Sequence, residues 1–379
     1  MSNALPYILL VLFYIILTVI SYYKSRSRFI IEIISIVVFI LFFGFRGFIF
    51  YDWSSYYPAF ESLPDIFTLF TQDWMKWGWE PGFILFASII KELTNSYQFF
   101  ILLCTVINTL LLTRFFKLYI AILPLGFMMY LTMNGIQIST DLLRNSIAIC
   151  IFLNAIPYIQ QRKLIPYMSL CLLAATFHSS ALAYIPLYFF LDKKLNIWIA
   201  LTLFIGANII YLFHIPILKS FISIFVGILM PSTKLWIDSY LNMDATTGST
   251  LSIGYLERLL TATLVFCYYN RLIEKRNSPL FVNATLIFLI IFLLFSEFRT
   301  ISMRTSTLFS FGYWIVWIDL IDCFKFKNNK ILFASFICLY SIIKTYSNCS
   351  SDVARYENVL FGASNFNERL VEFRKSLSK

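Results

Sequence analysis

FIIEIISIVVFILFFGFRGFIFYDWSSYY, residues 29–57, stays apolar for nearly a membrane crossing and then turns charged and aromatic. A helix needs about 20 apolar residues to cross the hydrocarbon core. Here the run ends at Arg46, and Asp52 follows within the aromatic stretch. A charge at the bilayer centre costs about 2.5–3.5 kcal/mol on insertion scales, so charges in such places usually face a cavity and mark a site. The pattern recurs down the chain. Glu80 opens WEPGF, Arg144 sits in STDLLRNS, His178 in ATFHSS, and Arg299 and Arg304 in SEFRTISMR. The guanidinium fork fits phosphate oxygens bidentately. These residues read as a membrane-embedded site for a ligand that bears phosphate.

Composition sets the class. Of 379 residues, 59% are apolar and 13% charged, which is not the usage of a soluble domain. The chain reads as an all-α polytopic membrane protein, one integral domain over 1–379. The net charge of +10 would suit nucleic acid, but Lys and Arg occur in small clusters between apolar runs, as the positive-inside rule produces. No nucleic-acid partner is expected. The seven cysteines are scattered without a CxxC pair, so neither a disulfide framework nor a zinc site follows. Residues 1–23 lack a basic n-region and a small-residue cleavage site, and read as a retained first span.

Placing the basic connectors 24–28, 114–117, 162–163, 193–194, 271–276 and 325–330 in the cytoplasm orients the chain. Spans then fall near 5–23, 29–45, 97–113, 118–133, 142–158, 164–178, 180–191, 195–213, 255–273, 280–297, 303–321 and 331–346, about twelve transmembrane helices. Residues 81–93 are apolar but too short, and read as a re-entrant or interfacial helix. Irregular backbone at such a depth is tolerated only where it lines protein or a water cavity. Two outer-face loops result, at about 46–80 and 214–254, with a C-terminal tail over 346–379. The orientation rests on the cytoplasmic clusters alone, yet it brings every residue of the charged set to the outer face.

Gln137, Asp141, Arg144 and Ala148 recur at helical spacing. They predict either an arginine held by Asp141 and aimed at phosphate, or an interfacial ion pair. His178 reads as a helix-packing residue or as a base near neutral pH. The loop aromatics Trp53, Tyr56, Tyr57, Trp74, Trp77 and Trp79 suit a membrane interface. They equally suit sugar binding, with rings stacked on pyranose faces and Asp52 and Glu80 taking hydroxyls. No DxD, Walker, GxGxxG, GxSxG or HExxH motif is present. Nucleotide-sugar transfer with a bound metal, ATP hydrolysis and zinc proteolysis are therefore disfavoured. No cofactor and no metal site is expected.

At these residues the chain resembles the EpsG-type branch of the Wzy-like polysaccharide polymerases. FRGFIFYDWSSYY, WEPGF, RNSIAICIFLNA, LAATFHSSALAYIPLYFF, the late arginine pair in FRTISMR and a polar tail from near Tyr356 carry the likeness, over roughly residues 40–310. The resemblance implies a GT-C-like helical bundle in the bacterial inner (cytoplasmic) membrane. It implies a metal-independent glycosyltransferase that joins undecaprenyl-pyrophosphate-linked oligosaccharide units at the periplasmic face, as in O-antigen or exopolysaccharide biosynthesis. A chain-length regulator is an expected partner beside the lipid-linked substrate and the bilayer. In these terms Arg46, Arg144, Arg299 and Arg304 would hold pyrophosphate. Glu80, Asp52 or His178 would deprotonate the acceptor, and Trp53, Tyr56, Trp79 and Asp141 would contact sugar. A glycan ligase and a non-enzymatic flippase for lipid-linked oligosaccharide are the rival readings. A flippase needs charges along a path through the bilayer, whereas these crowd one face.

Overall fold

A computed structural model describes residues 3–64, 66–71, 74–216, 219–220 and 251–377. It is helical, and among these residues no strand forms beyond an antiparallel bridge between Arg46 and Asn358. Three described helices are long and apolar enough to cross a membrane: Leu5–Tyr23, Tyr97–Tyr119 and Lys327–Cys349, with mean hydropathies of 2.3, 2.0 and 1.2. Shorter apolar helices are Leu164–Phe177, Ile197–Leu212 and Leu280–Leu294. Most of the outer loop expected at 214–254 lies outside the described residues.

Several expected spans are interrupted. The 118–133 span becomes a helix over Leu123–Tyr130, a wide turn over Leu131–Gly135 and a further helix over Ile136–Thr140. Asn134 takes the left-handed conformation (φ 68°) there, and Gly135 packs so closely on the Tyr130 carbonyl that a Cβ would collide with it. The 142–158 span is a helix over Leu143–Leu153 and a short one over Ile156–Gln160. Asn154 ends the first, its amide donating to the carbonyls of Leu111 and Cys150, and Pro157 begins the second. The 303–321 span divides into Arg299–Thr307 and Ser310–Cys323. The segment expected to be re-entrant or interfacial is a helix over Pro81–Leu93, about 20 Å long at 1.5 Å per residue and too short to cross.

The chain packs as two compact units, one of residues 1–188 and 332–379, the other of 189–331. In the first, Arg28–Gly44 lies along Tyr97–Tyr119, which packs on Leu143–Leu153, and that helix packs on Leu164–Phe177. Small residues bring backbones together: a Cβ on Gly44 would stand 2.8 Å from Leu102, and one on Gly126 2.8 Å from the Phe116 ring. Buried polar bonds join the helices, Asn108 to Ser146 at 2.8 Å and Thr132 to Ser341 at 2.8 Å. Such bonds average only about 0.6 kcal/mol in a membrane, so close packing carries most of the association.

In the second unit, Leu280–Leu294 packs against Ser310–Cys323 and Ile197–Leu212. Gly312 permits the first contact, since a Cβ there would stand 2.6 Å from the Thr285 nitrogen. The basic connector 271–276 is neutralised locally. Arg276 reaches Asp319 at 2.8 Å, and Lys275 lies 3.0 Å from Asp319 and 2.5 Å from Asp322.

Candidate functional site

The first unit joins three stretches that the sequence keeps far apart: the loop 46–80, the start of the Leu143–Leu153 helix and the turn after Leu164–Phe177. Arg144 stands in the first turn of its helix, just past the break at Asp141-Leu142. Its Nε donates to the Tyr56 hydroxyl at 2.8 Å. Its Nη1 donates to Glu80 Oε2 at 2.6 Å and to the Gly78 carbonyl at 3.2 Å. Gly78 presents that carbonyl from a left-handed conformation (φ 62°) with open space around its Cα, so glycine serves the turn here and no packing contact.

Glu80 is the N-cap residue of Pro81–Leu93, extended at φ −72°, ψ 148°, with Pro81 starting the helix. That geometry aims its carboxylate across the turn. Oε1 accepts the Ser179 N–H at 2.9 Å while Oε2 takes Arg144. Burial alone would push this carboxyl up. The Ser179 N–H and the Arg144 charge together outweigh burial and hold it below its usual range. Gly82 makes the arrangement possible. A Cβ there would stand 2.7 Å from Thr176 Cβ and 2.9 Å from its carbonyl oxygen, so only glycine lets the two helices meet this closely.

His178 ends its helix in extended conformation. Its Nδ1 accepts the Ser180 N–H at 3.2 Å and lies 2.8 Å from the Ser180 hydroxyl, which in turn reaches Asn145 at 3.1 Å. With Nδ1 so used, a neutral ring carries its proton on Nε2 and acts as a donor from that nitrogen. Tyr56 is buried, stacks on Trp79 (5.3 Å between centroids, 21°) and has its hydroxyl pushed up to about 12 by burial, against the opposing pull of Arg144.

Other expected residues fall elsewhere. Asp141 accepts the backbone N–H groups of Tyr51 and Asp52 at 2.8 and 3.3 Å, so it shapes the loop, and the carboxylate paired with Arg144 is Glu80. Asp52 is half-buried and begins the Trp53–Ser62 helix. Trp53 departs from a sugar platform: it is 5% exposed, its N–H goes to the Phe50 carbonyl, and Phe366 and Phe373 cover it. Arg46 is buried, donating to the Phe43 carbonyl at 2.5 Å. Both Arg46 and Asp52 line a cavity of about 50 Å³ with Tyr56, Gln98 and Ser364. Arg299 opens the Arg299–Thr307 helix of the second unit, where Arg304 is exposed.

Sequence reasoning passed over two groups. Ser179 contributes a backbone N–H, which no side-chain pattern reveals. In the second unit Glu257 and Arg258 lie inside an apolar helix. Glu257 is 4% exposed and accepts from Thr261 at 2.8 Å, while Arg258 stands 3.6 Å over the Phe292 ring. Two adjacent charges within an apolar run were the available signal.

A family model described as the EpsG family matches residues 29–360. The chain belongs to the EpsG family. The matched region of this EpsG-family chain contains the whole Tyr56–Glu80–Arg144–His178 cluster, while the final helix, Phe366–Leu377, lies beyond it. No curated protein and no solved structure gives a match.

Proposed function

We propose that this EpsG-family chain is a polysaccharide polymerase. It joins undecaprenyl-pyrophosphate-linked oligosaccharide units at the outer face of the cytoplasmic membrane, with a chain-length regulator as a partner. The observation that carries the reading is the Arg144 cluster: a partly buried guanidinium, oriented by Tyr56 and Gly78, with a carboxylate at 2.6 Å. In the reaction, an acceptor sugar hydroxyl attacks the anomeric carbon of the donor glycan. The bond from that carbon to the pyrophosphate oxygen breaks, and the charge passes to the lipid pyrophosphate. Arg144 takes up that charge. Donors fixed before reaction stabilise developing charge without reorganisation.

The same pair supplies a base. Phosphate oxygens compete with Glu80 for the Arg144 fork. When they win, Glu80 loses its cation and its carboxyl rises towards the ordinary range. It is then the group that accepts the acceptor's proton, with Asp52 as the other carboxylate in reach of the loop. His178, a donor from Nε2, suits a hydrogen bond to phosphate or sugar oxygen. Trp79, half-buried and backed by the Tyr56 ring, offers the aromatic surface for sugar.

The test is complementation of a polymerase-deficient strain. The wild-type chain should restore a ladder of glycan lengths and Arg144→Ala should not. Transfer of a single unit to a different acceptor, without a ladder, would favour a ligase. Movement of lipid-linked units without any new glycosidic bond would favour a flippase.

A further inference from the structure

The segment after residue 350 is bound to the site loop along its length. Val359 N–H donates to the Phe45 carbonyl at 2.8 Å, Gly47 N–H to Glu357 at 2.9 Å, and Phe50 N–H to Val353 at 2.8 Å. Gly47 allows this approach, since a Cβ there would stand 3.2 Å from Glu357 Cβ and 3.3 Å from Ala363 Cβ. Tyr356 stacks on Phe42 at 4.2 Å. The Phe366–Leu377 helix then lays Phe366 flat on Tyr57 (4.4 Å, 17°) and packs Phe366 and Phe373 against Trp53.

Arg369 ties the layers together. It is 3% exposed, and a buried charge is costly unless its donors are satisfied. Nε donates to the Phe48 carbonyl at 2.9 Å and Nη1 to Glu372 at 2.9 Å. Nη2 lies 3.3–3.4 Å from the carbonyls of Asp352, Val353 and Arg355. One guanidinium thus clasps the loop at Phe48 and the returning segment at 352–355. The loop it holds leads into the Trp53–Ser62 helix, whose Tyr56 hydroxyl orients Arg144.

We infer that the 350–377 segment is part of the reaction site and that Arg369 is a positioning residue, holding Tyr56 against Arg144 through Phe48 and Trp53. The inference rests on the phosphate-clamp reading of Arg144. A misplacement of about 1 Å in a site can cost about 10²-fold in rate. Lysine keeps the charge but cannot reproduce the planar fork.

The experiment uses the full chain in lipid nanodiscs, with Arg369→Gln, Arg369→Lys, Tyr56→Phe and the combination of Tyr56→Phe with Arg369→Gln. Each Arg369 variant should lower kcat about 10–100-fold at matched folded protein, with KM for the lipid-linked donor nearly unchanged. In the Tyr56→Phe background the further loss should shrink to about 2–3-fold, because the two residues act in series. Hydrogen exchange over 46–57 should speed up in Arg369→Gln while the Tyr97–Tyr119 helix is unaffected. Full multiplication of the two single losses, or an activity loss that only tracks the folded fraction, would overturn the inference. Unchanged exchange over 46–57 would overturn it whatever the activity. If Arg369→Gln does not fold, Arg369→Lys carries the same comparison. A wild-type chain that makes no polymer defeats the function reading, and exchange then decides this inference separately.

Discussion

Glu80 and Arg144 stand 64 residues apart in the chain and 2.6 Å apart in space, each with about a fifth of its side chain exposed. The contact is a bond between the cap of the short Pro81–Leu93 helix and the first turn of a buried one. Because both groups remain in reach of solvent, an anionic ligand can enter and compete for the guanidinium. A fully buried pair would have to be dismantled first.

Arg144→Ala should therefore lower polymerising activity about 10²–10³-fold, the usual loss when one donor to a developing charge is removed. Arg144→Lys should rescue poorly, for want of the second parallel donor. Glycan length distributions at matched expression are the measurement, and normal ladders from Arg144→Ala would remove it from the site.

The base assignment separates Glu80 from His178. Glu80→Gln keeps the Ser179 hydrogen bond but cannot accept a proton, and should abolish transfer while donor binding persists. His178→Gln should only slow it. Near-normal turnover in Glu80→Gln would move the base to Asp52 or His178.

Acid should weaken the fold at this pair. The Glu80 carboxyl is held below its usual range in the folded protein, so it contributes stability that is complete above the unfolded pKa of about 4.3 and is lost as pH falls through the folded value. The wild-type Tm should drop more steeply below about pH 4 than that of Glu80→Gln. Parallel curves would show that the pair contributes nothing to the fold.

Gly82→Ala should cost about 1–3 kcal/mol, since the new methyl has no room against Thr176. It should also cut activity by drawing Glu80 away from the Ser179 N–H. Thr176→Ala should restore only part of the loss, because the Thr176 carbonyl oxygen remains 2.9 Å from the added Cβ. Thermal unfolding and activity in the single and double variants give the comparison.

Turnover should persist in EDTA, since the proposed charge acceptor is a guanidinium. Activity abolished by chelation and restored by Mg²⁺ or Mn²⁺ would refute that account. For topology, a cysteine at Lys163, in a background without the exposed Cys267, should react with an impermeant reagent only from the cytoplasmic side.

Composition and charge spacing alone determined that the chain is helical and apolar enough for a membrane, and the motif order pointed to the EpsG family. They also marked Glu80, Arg144, His178 and Tyr56, because charges and aromatics at the ends of apolar runs stand out against their surroundings. Helical periodicity misdirected the choice of partner. Asp141 and Arg144 are three apart, but the helix breaks between them at Leu142, so the spacing no longer places them on one face. Which carboxylate meets Arg144 depends on how closely Pro81–Leu93 approaches Leu164–Phe177, a distance governed by Gly82. Which tryptophan is buried depends on where the last helix lands. Only the tertiary structure decided these points, because contacts across 64 or 321 residues arise from packing and main-chain hydrogen bonds that carry no local pattern.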